Sequence, residues 1–295
     1  MQTIPLNNWQ EFQENLKFPS DTEKIMNTLP TGLSPEIYFR GQANIEWELK
    51  TTLQRLEDEI VHDYDFYPYL RKAVSFCGAV DTYTGSNWNL DNGDLSTGKI
   101  LYDRLEKLLG QDMPIRTYKT RKKILEYLIY LRHCGFPSPL LDWSGSPYVA
   151  AFFAFAQIPK GSKRVAIYQY QEMPRGKKHI EDDPEAKIHT IHYDFKTNKR
   201  HYLQHTSYTI CVKNYGVTQG FGKYEEAFSA SEQLSCYDVG EHCQDLLIQY
   251  TIPSSERKKV LRQLDQMNIT YVSLFETEDA LIKTLALRGM ELWKD

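Results

Sequence analysis

The sequence predicts a mixed α/β fold in which helices surround a central sheet. Stretches with strand character alternate with amphipathic or apolar helical stretches along most of the chain. The predicted strands are rich in β-branched and aromatic residues and stop at glycine, proline or polar turns; they cover residues 37–39, 164–170, 202–212 and 244–253. At 295 residues the chain can bury a large core, either as one domain or as two smaller ones.

The composition limits the classes of function. The 35 Lys and Arg residues are balanced by 39 Asp and Glu residues, so a contact with nucleic acid would need a local basic patch. The chain contains no apolar run long enough to cross a bilayer, and its first residues lack the features of a signal peptide. We therefore expect a cytoplasmic protein with no membrane partner. The five cysteines match no zinc-binding spacing, so we expect reduced thiols and no metal site.

The first elements are a short helix and the strand around which the chain is organised. Apolar residues at helical spacing over residues 9–16 predict an amphipathic helix on the core. The strand at residues 37–39 then leads to Arg40, whose guanidinium suits a bidentate contact with phosphate, ribose or carboxylate. Gly41 would allow a ligand or a second backbone to come close. The alternative is that Arg40 pairs with a structural carboxylate.

A second informative stretch covers residues 125–156. A helix is followed by a proline-stiffened segment, and then by a helix that is apolar on nearly every side, with Ser146 as its cap. Asp142 and Ser144 thereby lie at the N-terminus of a buried helix, which is a ready anion site, and Trp143 offers a flat face for a ring. The alternative is that Asp142 and Ser144 only cap the helix.

The other predicted elements carry no chemistry of their own. Residues 99–110 predict a helix with a glycine stop, and residues 174–184 predict a charged, solvated loop. An amphipathic helix begins near Ser254, after the last predicted strand, and a final helix begins at Glu278.

Two separated blocks resemble the FRG domain family, which is named for its Phe-Arg-Gly signature. The first block is Tyr38-Phe39-Arg40-Gly41-Gln42, followed by Trp47 and Leu49. The second block runs over residues 131–154 and contains Leu140-Leu141-Asp142-Trp143. One departure is Ser138-Pro139, where the family pattern has Thr-Arg, so an arginine that could have touched the ligand is missing.

The resemblance covers most of the chain and is weakest at residues 57–120. It implies a single domain over residues 1–295, with a helical insertion at about residues 57–120. The layout is also similar to the ADP-ribosyltransferase fold, which is an α+β fold with a mainly antiparallel central sheet surrounded by helices. That likeness implies NAD as a substrate.

The same likeness implies the site residues. Arg40 would take the place of the arginine or histidine on the first core strand, residues 141–144 that of the second strand, and Gln204 that of the late Glu or Gln. The implied catalytic residues are therefore Arg40, Asp142 and Gln204. The implied residues for binding NAD are Arg40, Gly41, Gln42, Trp143 and Ser144.

These residues can be matched to the chemistry of breaking the nicotinamide glycosidic bond, which builds positive charge on the ribose. Arg40 suits the diphosphate, Ser144 with Trp143 suits the nicotinamide, and Gln204 or Asp142 would hold the ribose. Because Gln204 cannot ionise, the negative charge would have to come from Asp142, or from a carboxylate of the Glu225-Glu226 pair if that loop folds over the site.

The resulting hypothesis is an NAD-dependent ADP-ribosyltransferase that modifies a macromolecule, either RNA, DNA or protein, as a bacterial toxin in phage defence. A neutralising antitoxin protein is then an expected partner. One rival is a non-catalytic module that binds a nucleotide or nucleic acid through the same Arg40 cleft. Another is a hydrolase that cuts NAD or RNA. The sequence has no glycine-rich phosphate loop, HExxH motif or nucleophile elbow, which disfavours kinase, protease and esterase chemistry.

Overall fold

A mainly antiparallel sheet lies at the centre of the molecule. The computed structural model describes residues 1–16, 37–57, 66–90, 115–172, 187–191, 199–215, 225–227 and 245–293. The strands in this part of the chain are β1 (Gln2–Pro5), β2 (Ile37–Gln42), β3 (Leu141–Ser144), β4 (Arg164–Gln171), β5 (Lys187–Ile191), β6 (Thr206–Tyr215), β7 (Glu225–Ala227) and β8 (Leu246–Pro253).

The spatial order of the strands is β1-β8-β4-β2-β3-β6-β5, and β7 pairs with β6. The β1–β8 pair is parallel, whereas each of the other pairs is antiparallel. The predicted α+β class with a mainly antiparallel sheet is therefore confirmed. The strands β2 and β3 are neighbours in this sheet, and Phe39 pairs with Ser144, which brings the two sequence blocks together.

Helices cover the sheet. They are α1 (Trp9–Asn15), α2 (Thr52–Glu57), α3 (Phe66–Ser75), α4 (Cys77–Thr84), α5 (Ile115–His133), α6 (Pro147–Ala156), α7 (Lys199–Leu203), α8 (Arg257–Gln266), α9 (Tyr271–Phe275) and α10 (Glu278–Leu287). A 3-10 turn at Ser254–Glu256 precedes α8, and a π-helical turn at Arg288–Leu292 follows α10. None of the helices in the described ranges has the length and apolar content needed to span a bilayer.

The apolar helix α6 packs directly on β2. It begins as the sequence predicts, because the Ser146 side chain accepts a hydrogen bond from the backbone of Val149 at 3.3 Å and Pro147 follows as the first helical residue. A Cβ atom at Gly41 would lie only 1.9 Å from the carbonyl oxygen of Ala150. Gly41 is thus needed for the close approach of a second backbone, that of α6.

Part of the predicted pattern differs from the structure. The strand expected from Tyr202 begins only at Thr206, because Lys199–Leu203 forms a helix and His205 turns the chain with a φ of 48°. The predicted helix at residues 99–110 and the predicted loop at residues 174–184 lie outside the described residues. The described cysteines, Cys77, Cys134 and Cys211, are free thiols.

Candidate functional site

Two arginines from different elements hold one carboxylate at the junction of β2 and β3. Arg40 donates from Nη1 to the carbonyl oxygen of Asp142 at 2.6 Å and also to its Oδ1 atom. Arg132, near the end of α5, donates from Nη2 to the same Oδ1 atom at 2.5 Å. Its other terminal nitrogen lies 3.2 Å from Oγ1 of Thr52 on α2. Asp142 is therefore fixed between a strand and two helices.

A third guanidinium adds to the positive charge. Burial alone would raise the pKa of Asp142, but the charges of Arg132 and Arg40 and their hydrogen bonds hold it well below its usual range, so the carboxylate is ionised. Arg55 on α2 has a lowered pKa, because of its partial burial and of the charges of Arg40 and Arg132. Three guanidiniums around one carboxylate leave an excess of positive charge, which favours an anionic ligand.

Arg40, Arg55 and Asp142 line a cleft of about 280 Å³, called here the arginine cleft. Its walls come from β2, β3, α6 and the start of β6, and its lining includes Arg40, Gln42, Arg55, Asp142 and Thr206. Its volume is close to the lower end of the range for small-molecule sites, and its polar groups converge on one point.

Several buried polar atoms in the arginine cleft have no hydrogen-bond partner among the described residues. They are Nε of Arg40, Oε1 of Gln42 and Oγ1 of Thr206. An unpartnered buried polar group costs about 1–3 kcal/mol, so native structures rarely keep several in one place without a ligand or solvent to satisfy them. The arrangement offers two donors and an acceptor to a bound molecule.

Aromatic side chains lie at the rim of the arginine cleft, but Trp143 does not offer the ring face that the sequence suggests. The side chains that do are Trp47, which is 45% exposed, and Phe153, which is 36% exposed. Trp143 is 2% exposed, its Nε1 donates to Oγ1 of Thr209 at 2.8 Å, and its ring packs 5.1 Å from that of Tyr170. Its ring is buried because alternate residues of β3 point to opposite sides of the sheet.

Gln204 and Ser144 reach the arginine cleft as a bonded pair. The Ser144 hydroxyl donates to the carbonyl oxygen of Gln204 at 2.7 Å and accepts from the backbone of Ser146 at 3.1 Å, so it is engaged in holding the turn. The Gln204 amide nitrogen donates to the carbonyl oxygen of Leu274 on α9 at 3.1 Å. No hydrogen bond to its amide oxygen is formed among the described residues.

The strand that carries Glu225 and Glu226 pairs with the end of β6 that is far from the arginine cleft. Their strand, β7, pairs with Lys213, Asn214 and Tyr215 at the far end of β6, whereas the cleft is lined by Thr206 at the near end. Nine residues of strand separate the two ends by roughly 30 Å. The sequence offered two sources of negative charge, Asp142 and the Glu225-Glu226 pair. Asp142 is the one that lines the arginine cleft.

Sequence reasoning missed Arg132, Arg55 and Thr206. Arg132 lies inside the second sequence block, but nothing in the local pattern shows that α5 aims it at Asp142. The family pattern has Thr-Arg where this sequence has Ser138-Pro139. In the structure, Arg132 is the second arginine that contacts the carboxylate of Asp142, beside Arg40.

Behind Asp142, two histidines share one tyrosine hydroxyl. The Oη atom of Tyr208 lies 2.8 Å from Nε2 of His133 and 3.2 Å from Nδ1 of His201. Tyr208 is also the strand partner of Asp142 on β6. Burial lowers the pKa of His133 to about 4, so this histidine is neutral near pH 7. The described residues contain no group of three His, Cys, Asp or Glu side chains that could hold a metal ion.

Comparison with known proteins gives one match. The family model of the FRG domain matches residues 35–163. This range contains Arg40, Arg55, Arg132 and Asp142, whereas Gln204 lies beyond it. No curated protein and no solved structure matches the chain.

Proposed function

The chain contains an FRG domain, and from the geometry of its arginine cleft we propose that the protein is an NAD-dependent ADP-ribosyltransferase that modifies a macromolecule. The observation that carries the proposal is the cluster of Arg40, Arg55 and Arg132 around Asp142, beside buried polar atoms that lack partners. This combination suits a ligand that has both phosphate charge and polar hydroxyl groups.

The proposal assigns the diphosphate of NAD to the guanidiniums. Nε of Arg40 is a buried donor without a partner among the residues that the structure describes, and Arg55 adds an exposed charge next to it. Both are charged near pH 7, so they can bind the diphosphate without any proton uptake. Arg132 holds Asp142 in place and thereby orients Arg40.

The remaining cleft residues suit the sugar and the rings. The amide oxygens of Gln42 and Gln204 can accept hydrogen bonds from ribose hydroxyls, and Oγ1 of Thr206 can donate to the ligand or accept from it. Trp47 and Phe153 expose faces on which a nicotinamide or adenine ring can stack.

In the proposed reaction the bond between C1 of the ribose and the nicotinamide nitrogen breaks. Its electron pair goes to the pyridinium ring, which leaves as neutral nicotinamide. A nucleophilic nitrogen or oxygen of the acceptor forms the new bond to C1, and the proton of that nucleophile is released to solvent. The positive charge that develops on the ribose is stabilised by the ionised carboxylate of Asp142, which is 43% exposed at the cleft.

The proposal includes regulation. An active transferase of this kind would modify its own host, so we propose a role as a toxin in phage defence that is held inactive by an antitoxin protein.

A non-catalytic module that binds a nucleotide is the second candidate function. Two observations favour this module. Asp142 pairs with two guanidiniums, which reduces the negative charge that its carboxylate can offer to the ribose. The side chain of Gln204 is neutral. Such a module would bind NAD or a related nucleotide without consuming it.

The test measures release of free nicotinamide from NAD by the purified protein, with and without cell lysate as a source of acceptor. We use Arg55→Gln as the main variant, because this side chain is exposed and its loss leaves the Arg40–Asp142–Arg132 contacts intact, together with Arg40→Ala. The matched control is Lys160→Gln, which is exposed and does not line the cleft.

We expect release that depends on lysate, is reduced about tenfold by Arg55→Gln and is abolished by Arg40→Ala. The control should retain the activity of the unmodified protein. Binding of NAD without any release would support the non-catalytic module. Release that does not depend on lysate would instead identify a hydrolase. Absence of both binding and release would refute the proposal.

A further inference from the structure

A second cleft of about 330 Å³ lies next to the arginine cleft. Its walls come from α6, α7, α9 and α10, and the residues that matter most are Phe153, Arg200, Tyr271, Phe275 and Lys283. Phe153 and Gln157 line both clefts, so a molecule in the second cleft lies beside a ligand in the first.

Gln204 connects the two clefts structurally. It follows α7, which carries Arg200, and its amide nitrogen bonds to the carbonyl oxygen of Leu274 on α9, next to Phe275. The side chain assigned above to the ribose therefore fixes the position of two walls of the second cleft.

The walls of the second cleft combine aromatic faces with cations. The rings of Phe153 and Phe275 meet edge to face at 6.1 Å, and Tyr271 lies 6.5 Å from Phe275. The Arg200 guanidinium lies over the Phe275 ring, 5.4 Å from its centroid. Lys283 forms the rim, where it pairs with Asp279 at 2.8 Å. Flat apolar faces beside cations are what an unpaired base and its phosphate require.

Exposed aromatic and cationic side chains continue along α7, outside the second cleft. Tyr202 is 79% exposed and its ring stacks on that of His205, which is also exposed, at 6.3 Å. The Lys199 side chain is 86% exposed on the same short helix, and among the described residues it pairs with Glu276 at 3.5 Å. The patch therefore combines exposed rings with three cations, Lys199, Arg200 and Lys283, of which Lys199 and Lys283 pair with a carboxylate, on a chain whose formal charge is -4.

We propose that the second cleft and the exposed side of α7 bind an unpaired nucleotide of single-stranded nucleic acid. This inference rests on the proposed transferase function, for which it names the acceptor. One base stacks among Phe153, Tyr271 and Phe275, Arg200 contacts its phosphate, and Tyr202 stacks with a neighbouring base. A duplex is excluded, because its bases are stacked on each other and cannot enter the cleft.

The test is a binding assay that contains no NAD. Fluorescence anisotropy compares labelled single-stranded RNA and DNA of about 15 nucleotides, long enough to span a typical single-strand site, with the same sequences as duplexes. The variants are Arg200→Glu and Tyr202→Ala. The controls are Lys160→Glu and Tyr83→Ala; Tyr83 is 94% exposed on α4 and lines neither cleft.

We expect the protein to bind single strands more tightly than duplexes. Arg200→Glu should weaken this binding about tenfold or more and Tyr202→Ala at least about fivefold, because each removes a phosphate or a stacking contact. Both controls should stay within about twofold of the unmodified protein. Binding that is absent, that shows no preference for single strands, or that the controls weaken equally, would overturn the inference.

The experiments distinguish a wrong acceptor assignment from a wrong transferase proposal. If NAD binds and the protein labels lysate proteins but no nucleic acid, the acceptor assigned here is wrong while the transferase proposal stands. If single strands bind as expected but NAD does not, the transferase proposal fails, and the second cleft stands as a binding site for single strands and not as an acceptor site. Circular dichroism of Arg200→Glu and Tyr202→Ala should match that of the unmodified protein, and Tyr202→Ala keeps the test valid if Arg200→Glu fails to fold.

Discussion

Arg132 donates to Oδ1 of Asp142 at 2.5 Å, the same oxygen that Arg40 contacts. The contact joins the end of α5 to β3 and fixes the carboxylate between two charges. The arginine cleft therefore contains a carboxylate that is held by two elements distant in sequence, β2 and α5. Its geometry depends on the packing of α5 as much as on the Phe-Arg-Gly segment itself.

The first prediction concerns removal of this carboxylate. Asp142→Asn leaves two guanidiniums facing each other, so we expect the free energy of unfolding to fall by about 1–2 kcal/mol, less than for a fully buried pair because the side chain is 43% exposed. Urea unfolding at pH 7 measures the change. Adding Arg132→Gln should recover part of the loss. A double variant that loses the full sum of the two single losses would show that the residues are not coupled.

Asp142 should also contribute to stability in a pH-dependent way. Its pKa in the folded protein is lowered, so the unfolded chain binds more protons in acid; the contribution is present above about pH 4 and is lost as the pH falls below that value. Urea unfolding between about pH 6 and pH 3 should therefore show a shallower loss of stability in Asp142→Asn. Parallel curves for the two proteins would contradict the lowered pKa.

A second pH effect should come from His133 at higher pH. Burial, Arg132, His201 and Arg200 lower its pKa to about 4, and Asp142 opposes them. Because an unfolded histidine has a pKa of about 6.5, stability should fall as the pH drops from about 6.5 towards 4, by about 3 kcal/mol at most. His133→Gln should remove this slope. Nuclear magnetic resonance titration of the ring would contradict the prediction if His133 titrated near pH 6.5.

Gly41→Ala should test the packing of β2 on α6. The added Cβ atom would lie 1.9 Å from the carbonyl oxygen of Ala150 and 2.7 Å from the backbone nitrogen of Ala154, and backbone atoms cannot rotate away. We expect a loss of about 3 kcal/mol in urea unfolding. Gly161→Ala is an unsuitable control because of its φ of 92°. Gly78 lies in α4 and a Cβ atom there meets no atom within 4 Å, so Gly78→Ala should be neutral or stabilising by up to about 1 kcal/mol. Equal behaviour of Gly41→Ala and Gly78→Ala would contradict the close approach.

The rim of the arginine cleft offers a test of ring recognition. Trp47→Ala should weaken NAD binding about fivefold without changing stability, because its ring is 45% exposed and adds a stacking surface. Trp293→Ala is the matched control, since that ring is 49% exposed and does not line the cleft. Titration of tryptophan fluorescence with NAD measures both. An equal effect of the two variants would contradict a role for Trp47.

Local sequence signals predicted several of the strands and helices that carry the residues of the site. Arg40 follows an apolar strand, and Ser146 with Pro147 begins an apolar helix, so both features depend on neighbouring residues and are readable from the chain alone. The structure places Arg40, Asp142 and Gln204 around one cleft, whereas their roles as catalytic residues stay predictions.

The remaining features depend on how distant elements pack. The position of Arg132 is set by the packing of α5, and the burial of Trp143 is set by which face of β3 meets the core. Neither has a local signature. The sequence does not show what the end of α5 packs against, and both faces of a strand carry side chains at the same spacing. The predicted start of β6 at Tyr202 precedes the observed start at Thr206, because Tyr202 and Leu203 suit a strand and the left-handed turn at His205 gives no composition signal.

The central claim, that the arginine cleft binds a nucleotide through its diphosphate, is tested most directly by calorimetric titration with NAD, ADP-ribose and adenosine. The account predicts that NAD and ADP-ribose bind, that adenosine binds at least about tenfold more weakly, and that Arg55→Gln weakens NAD binding about tenfold while Lys160→Gln does not. Equal binding of adenosine and NAD, or no binding of any of the three, would contradict it.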